Sequence, residues 1–322
     1  MDWRESAAQL ERARAEEAVT IPAEHGRLFA IYTPPAPGAP PAGRCVVLFT
    51  RPRGHRNRMM VELARELAVR GFSALRFDYH GCGDSEGTRS FLNPNRPYLD
   101  DTIAVMRWLR KERHEQRFVL VGSCFDARTA LSGFMESPSA IDGIVFMAAP
   151  VMELHTMVAA HADEKDFGHL FRALRNPDNW KSLGSAERWR HMAIVLSRVT
   201  RRALGGRAAS EERNDTPLAD SFVMHFRALV RSDARALFLY GESDQETATF
   251  KVALDTVFAR IPPSTAARFD VEVWPGEVHG FLTLDVQRRV LARTLEWIRT
   301  FHPQSRAAAS NGHGAEAPWT SR

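Results

Sequence analysis

Three cysteines in 322 residues (Cys45, Cys82 and Cys124) are an odd number, without the paired spacing of a metal site, so neither a disulfide framework nor a thiolate cluster is expected. No stretch approaches the roughly 18 apolar residues of a membrane span, and the N-terminus has no apolar core of a secretion signal. Charge of one sign is not in excess. The 43 Lys and Arg residues and 39 Asp and Glu residues leave a net charge of +4, spread along the chain, which argues against a nucleic-acid-binding stripe. A glycine-rich phosphate loop, a dinucleotide fingerprint and a metal-ligand cluster are also missing, so no cofactor and no metal are expected. These absences predict a soluble, cytoplasmic protein in a reducing compartment, where a cysteine stays a thiol.

Against that background one stretch stands out, Phe118-Val119-Leu120-Val121-Gly122-Ser123-Cys124-Phe125-Asp126-Ala127-Arg128. A short apolar run ends in glycine and passes directly into good helix formers, which reads as strand, abrupt turn and helix. That is the build of a nucleophile elbow of the G-x-S-x-G type. Its third residue is strained so that the side chain stands clear of the sheet, and the next backbone N–H points at a developing oxyanion. Gly122 takes the first glycine position, Cys124 the nucleophile position and Asp126 the second glycine position. If the register slips by one, Ser123 becomes the nucleophile. The placing of Gly122 two residues earlier favours Cys124. Standing alone, Cys124 reads as a buried, inert small residue.

Around the elbow the chain alternates. A surface helix is expected for residues 1–17, followed by a hairpin, with Val19 and Ile21 on one strand and Leu28, Phe29 and Tyr32 on the other, turning at Glu24-His25-Gly26. Strands are expected at Cys45–Thr50, Ser73–Phe77, Phe118–Val121 and Ile141–Met147, with helices at Met59–Arg70 and Pro97–Arg113 between them. Residues 151–231 break the rhythm with helix-like segments, including Pro217–Val230, and read as a helical cap over the core formed by 18–150 and 232–302. The alternation resumes at Ala236–Tyr240, Thr247–Arg260, Arg268–Trp274 and Asp285–Phe301. The tail, 303–322, is expected to be disordered. Strands separated by helices predict an α/β fold with a mostly parallel sheet flanked by helices.

Several strings resemble the α/β-hydrolases. Asp78-Tyr79-His80-Gly81-Cys82-Gly83-Asp84-Ser85 is similar to the D-x-x-G-x-G-x-S loop after an early strand of that family, Leu239-Tyr240-Gly241-Glu242-Ser243-Asp244 to its strand-plus-acid segment, and Gly276-Glu277-Val278-His279-Gly280-Phe281 to its histidine loop. The Gly81–Ser85 loop and the Arg51–Arg58 segment look most like bacterial hydrolases associated with exosortase-type gene clusters, near the serine aminopeptidase-like group. The resemblance implies an α/β-hydrolase fold with a helical cap and a triad of Cys124, Asp244 and His279, in the nucleophile, acid, histidine order of that fold. Rival acids are Asp215, Asp220 and Glu242, and rival histidines are His155, His161 and His169. The oxyanion hole would take the Phe125 N–H and a second donor from Arg51 or Arg53, Pro52 having none. A nearby histidine and the helix N-terminus are expected to favour the thiolate. Asp126 opposes this as a charge in a glycine position, and the Gly81–Ser85 loop reads as a structural turn.

The expected function is hydrolysis of a carboxylic ester or thioester through an acyl-cysteine, a chemistry resembling the cysteine-bearing dienelactone hydrolases. Acyl transfer by the same triad, or a catalytically inactive binding protein, are the alternatives. The expected partner is a small acyl ester or thioester, free or carrier-linked. The cap residues Phe167, Leu170, Phe171, Trp180, Trp189, Met192, Phe222, Met224 and Phe226 are candidates for an acyl pocket or for the cap's own core. Nothing in the sequence fixes an oligomeric state.

Overall fold

The computed structural model describes residues 16–51, 53–54, 56–88, 98–152 and 218–303. The strands are β1 (Glu17–Ala23), β2 (Gly26–Thr33), β3 (Cys45–Phe49), β4 (Ser73–Phe77), β5 (Phe118–Ser123), β6 (Ile141–Met147), β7 (Arg235–Gly241) and β8 (Phe269–Trp274). They form one sheet in the order β1-β2-β4-β3-β5-β6-β7-β8. The β1–β2 hairpin and the β2–β4 pair are antiparallel, and every other pairing is parallel. The hairpin turns at Gly26, whose φ of 121° suits a residue without a Cβ.

The helices are α1 (Met59–Val69), α2 (Leu99–Glu112), α3 (Phe125–Glu136), α4 (Asp220–Arg231), α5 (Thr247–Thr256) and α6 (Leu284–Arg299). Helix α1 packs with α6, and α3 packs with both α2 and α4. Burial on both faces explains why β3 to β7 are largely apolar without a regular polar alternation. Within each strand the faces still divide by the period of two. Val119, Val121, Val145, Leu237 and Leu239 join Leu63, Leu67, Trp297 and Ile298 in one cluster. The intervening Phe146 and Phe238 meet Phe222 and Phe226 of α4 on the other side.

Two boundaries differ from the sequence reading. Glu17 opens β1 and is not the end of a helix, because it pairs across the hairpin with Tyr32. The remainder of the expected N-terminal helix lies outside the described residues, apart from Glu16. The chain divides into one compact unit of Met1–Val151 with Asp220–Arg322 and a second of Met152–Ala219. Helix α4, assigned by sequence to the cap, therefore belongs to the sheet unit. Its apolar positions Phe222, Phe226 and Leu229 are buried in that core, and only Met224 is exposed, so the two phenylalanines are not cap residues. The cap aromatics from Phe167 to Met192 lie outside the described residues, as do His155, His161, His169 and Asp215.

Candidate active site

Strand β5 ends at Ser123 and α3 begins at Phe125, so the whole change of direction falls on Cys124. Its φ of 53° and ψ of −132° are sparsely populated for a residue with a Cβ, and such a conformation costs on the order of 1–3 kcal/mol. The Cys124 N–H donates to the Met147 carbonyl at 2.8 Å, which ties the turn to β6. Ser123 is the buried last residue of β5, paired with Met147. The strained position thus belongs to the cysteine register.

Gly122 allows the tight passage of helix past strand. A Cβ there would lie 2.6 Å from Cα of Ala127 and 2.7 Å from the Asp126 carbonyl oxygen, both rigid backbone. The helix therefore passes the strand at Ala127, and position 126 has room for a side chain where the sequence motif expects a second glycine. Asp126 uses that room. Its Oδ1 accepts from Arg51 Nε at 2.9 Å. Burial pushes the Asp126 pKa up, opposed by Arg51 and Tyr79. The result is a buried ion pair that pins the loop after β3 to the elbow helix.

The thiol does not behave as expected. Burial pushes the Cys124 pKa from 9.0 up to about 12, with the negative charges of Glu246 and Asp126 adding to the rise; the Phe125 N–H and Arg51 oppose it. Desolvation outweighs the helix N-terminus, so the resting side chain is a neutral thiol and not the expected thiolate.

The second expected donor narrows to one residue. The Arg53 N–H donates to Asp78 Oδ1 at 3.1 Å, and its guanidinium pairs with Asp78 and with Asp84 Oδ2 at 2.7 Å, so Arg53 is occupied and not available as an oxyanion donor. Arg51 is the remaining candidate. The Gly81–Ser85 loop supplies the anchor for Arg53. Gly83 has φ of 53°, and a Cβ there would collide with the Asp78 carboxylate. The Ser85 hydroxyl donates to the Asp78 carbonyl at 2.6 Å and accepts from the Phe29 N–H at 2.8 Å. The turn is structural, as read, and it steadies the loop that carries Arg51.

The acid and histidine loops leave the sheet at the C-terminal ends of β7 and β8, on the same side as the elbow after β5, where open α/β sheets place their ligands. Asp244 is buried, but its carboxylate faces backbone. Oδ2 accepts from the Gly241 N–H at 2.6 Å, and Oδ1 accepts from the N–H groups of Val278 and His279 at 2.8 and 2.7 Å. The carboxylate beside the His279 ring belongs to Glu246, whose Oε2 lies 3.6 Å from Nδ1. Glu246 is 2% exposed at the N-cap of α5. The sequence reading missed it. The available signal was a second carboxylate two residues past Asp244, at the start of the next helix. Of the rival acids, Asp220 opens α4 and Glu242 is exposed.

Among the described residues, Glu24, His25 and Asp100 have ligand atoms within 4.8 Å of one another, close enough to share a metal ion. All three are exposed, on the β1–β2 turn and the first turn of α2, apart from the elbow. Among the described residues no helix is long and apolar enough to cross a membrane.

A sheet in this order, with an elbow after β5 and acid and histidine loops after β7 and β8, is the α/β-hydrolase fold. More narrowly, residues 40–191 match the family described as serine aminopeptidase, S33. Among solved structures it is similar to an esterase from Pyrococcus furiosus, at 14% identity over 89% of this chain and 93% of the other, with a TM-score of 0.55. It is also similar to the proline iminopeptidase of Mycobacterium smegmatis, at 15% identity over 91% and 100% of the two chains, with a TM-score of 0.52. At these identities the likeness is one of fold. Comparison with curated proteins found no match.

Proposed function

We propose that the protein hydrolyses carboxylic esters or thioesters through an acyl-cysteine formed on Cys124, with His279 as the base. The observation that carries this reading is the strained, positive-φ conformation of Cys124 at the strand-to-helix turn, which fixes the direction of its side chain at an energetic cost. Because the resting thiol is neutral, its proton leaves as the sulfur attacks. The S–C bond forms while His279 takes the proton, and the carbonyl oxygen gains the negative charge and meets the Phe125 and Arg51 N–H groups. The tetrahedral centre then collapses, the C–O or C–S bond to the leaving group breaks, and His279 returns its proton to that group. Water, deprotonated by His279, attacks the acyl-cysteine, the S–C bond breaks to release the acid, and His279 returns its proton to the sulfur. An amine, alcohol or thiol in place of that water would turn hydrolysis into acyl transfer. The elevated thiol pKa supports a second reading, a binding protein without turnover.

Intact mass after incubation with p-nitrophenyl butyrate, beside turnover of a panel of acyl esters and thioesters, separates these readings. The expected result is an acyl adduct and turnover in the natural protein and in Ser123→Ala, both lost in Cys124→Ala. Loss in Ser123→Ala with retention in Cys124→Ala would transfer the role to the serine. Absence of both adduct and turnover in the natural protein would favour the binding protein.

A further inference from the structure

We propose that Glu246, and not Asp244, is the carboxylate that positions and charges the His279 imidazole, and that Asp244 is a clamp on the histidine loop. This rests on the reading of Cys124 as nucleophile and His279 as base. Asp244 presents both carboxylate oxygens to three backbone N–H donors, at 2.6 to 2.8 Å. These bonds join the end of β7 to Val278 and His279, and they fix the backbone from which the imidazole projects. A carboxylate so occupied has little accepting capacity left for a ring N–H.

Glu246 has the complementary placement. It is buried beside His279 Nδ1, the nitrogen that must carry the proton if Nε2 is to act on the thiol. At 3.6 Å the contact is just beyond hydrogen-bond length, and a small tightening would make it a hydrogen bond, the usual behaviour of a site without substrate. It is the N-cap residue of α5, at the positive end of that helix. Its charge also reaches Cys124. Glu246 thus stands near both proposed partners, and an imidazolium formed during attack would have its counter-charge in a desolvated site. The other charged and titratable groups around the site are Asp244 on the same loop, Cys124 and Asp126 at the elbow, and Arg51 on the loop after β3.

The test uses the full chain and the variants Glu246→Gln, Glu246→Asp, Asp244→Asn, Cys124→Ala and His279→Gln. The imidazole titration is followed by NMR, with His279 assigned by its loss in His279→Gln, and turnover is followed with p-nitrophenyl butyrate. Glu246→Gln should keep its Tm, lower the His279 titration midpoint, and move the acid limb of kcat/KM the same way. It should also reduce kcat by on the order of 100-fold. Glu246→Asp should recover part of each loss. Asp244→Asn should lower Tm and move the histidine titration less. An unmoved His279 midpoint in Glu246→Gln, or a larger shift in Asp244→Asn at unchanged Tm, would overturn the proposal. The titration does not depend on turnover, so a shifted midpoint without Cys124-dependent hydrolysis would place the failure in the functional reading and leave the pairing intact.

Discussion

Cys124 combines a strained turn conformation with a desolvated sulfur, and the two features pull its reactivity in opposite directions. The backbone strain orients the side chain, while burial and the charges of Glu246 and Asp126 keep the proton on it. The ion pair of Asp126 with Arg51 is the adjustable part. Removing the carboxylate charge would leave Arg51 uncompensated beside the sulfur and favour the thiolate. Iodoacetamide alkylation of Cys124 should therefore be slow at pH 7, rise with pH toward about 12, and become several-fold faster at pH 8 in Asp126→Asn. Peptide mapping of the labelled cysteine checks this, with equal rates in the two proteins as the contrary result. The same displacement carries a stability consequence. The folded-state thiol binds its proton more tightly than the unfolded one, so this group's contribution to stability falls as pH rises from 9 toward 12.

Helix α4 was assigned to the cap by sequence and is instead a structural support of the elbow helix. Arg128 of α3 donates to the Pro150 carbonyl at 3.0 Å and to the Ser221 hydroxyl at 2.6 Å, and Ser132 Oγ lies 3.4 Å from His225 Nδ1. Burial, with the Arg128 charge adding, lowers the His225 pKa from 6.5 to about 4. The unfolded chain binds this proton near 6.5 and the folded chain only near 4. The stabilisation from a neutral His225 is thus fully present above pH 6.5 and lost as pH falls toward 4. Melting curves between pH 7 and 4 should show Tm falling more steeply in the natural protein than in His225→Gln, which has no proton to gain. Parallel curves would mean that this histidine does not couple the α3–α4 contact to pH.

The molecule as a whole is a sheet unit interrupted by residues 152–219. Met152 and Leu218 form an antiparallel bridge, so the chain leaves and re-enters the described structure at adjacent points. A short turn should therefore replace 153–217 without stretching the sheet unit. The excised variant is expected to melt cooperatively, with retained p-nitrophenyl butyrate hydrolysis and an altered preference among longer acyl chains. Calorimetry and the ester panel check both halves of that outcome. Loss of cooperative melting would show that the inserted segment is part of the fold's stability and not an appendage.

Most of the architecture was legible in the chain because local rules enforce it. Buried parallel strands must be largely apolar, as at Cys45–Phe49 and residues 144–147 of β6. Gly122 cannot carry a Cβ against Ala127, and the order of elbow, acid loop and histidine loop survives any detail of packing. What could not be read is what depends on groups distant in sequence meeting in low dielectric. The missing second glycine is tolerated because Arg51, 75 residues away, neutralises Asp126. The proton stays on Cys124 because burial outweighs a helix terminus. Arg53 is occupied by Asp78, and Asp244 faces amides while Glu246 faces the imidazole. Spacing orders such residues along the chain, but side-chain direction and desolvation, which only packing sets, determine which charge meets which.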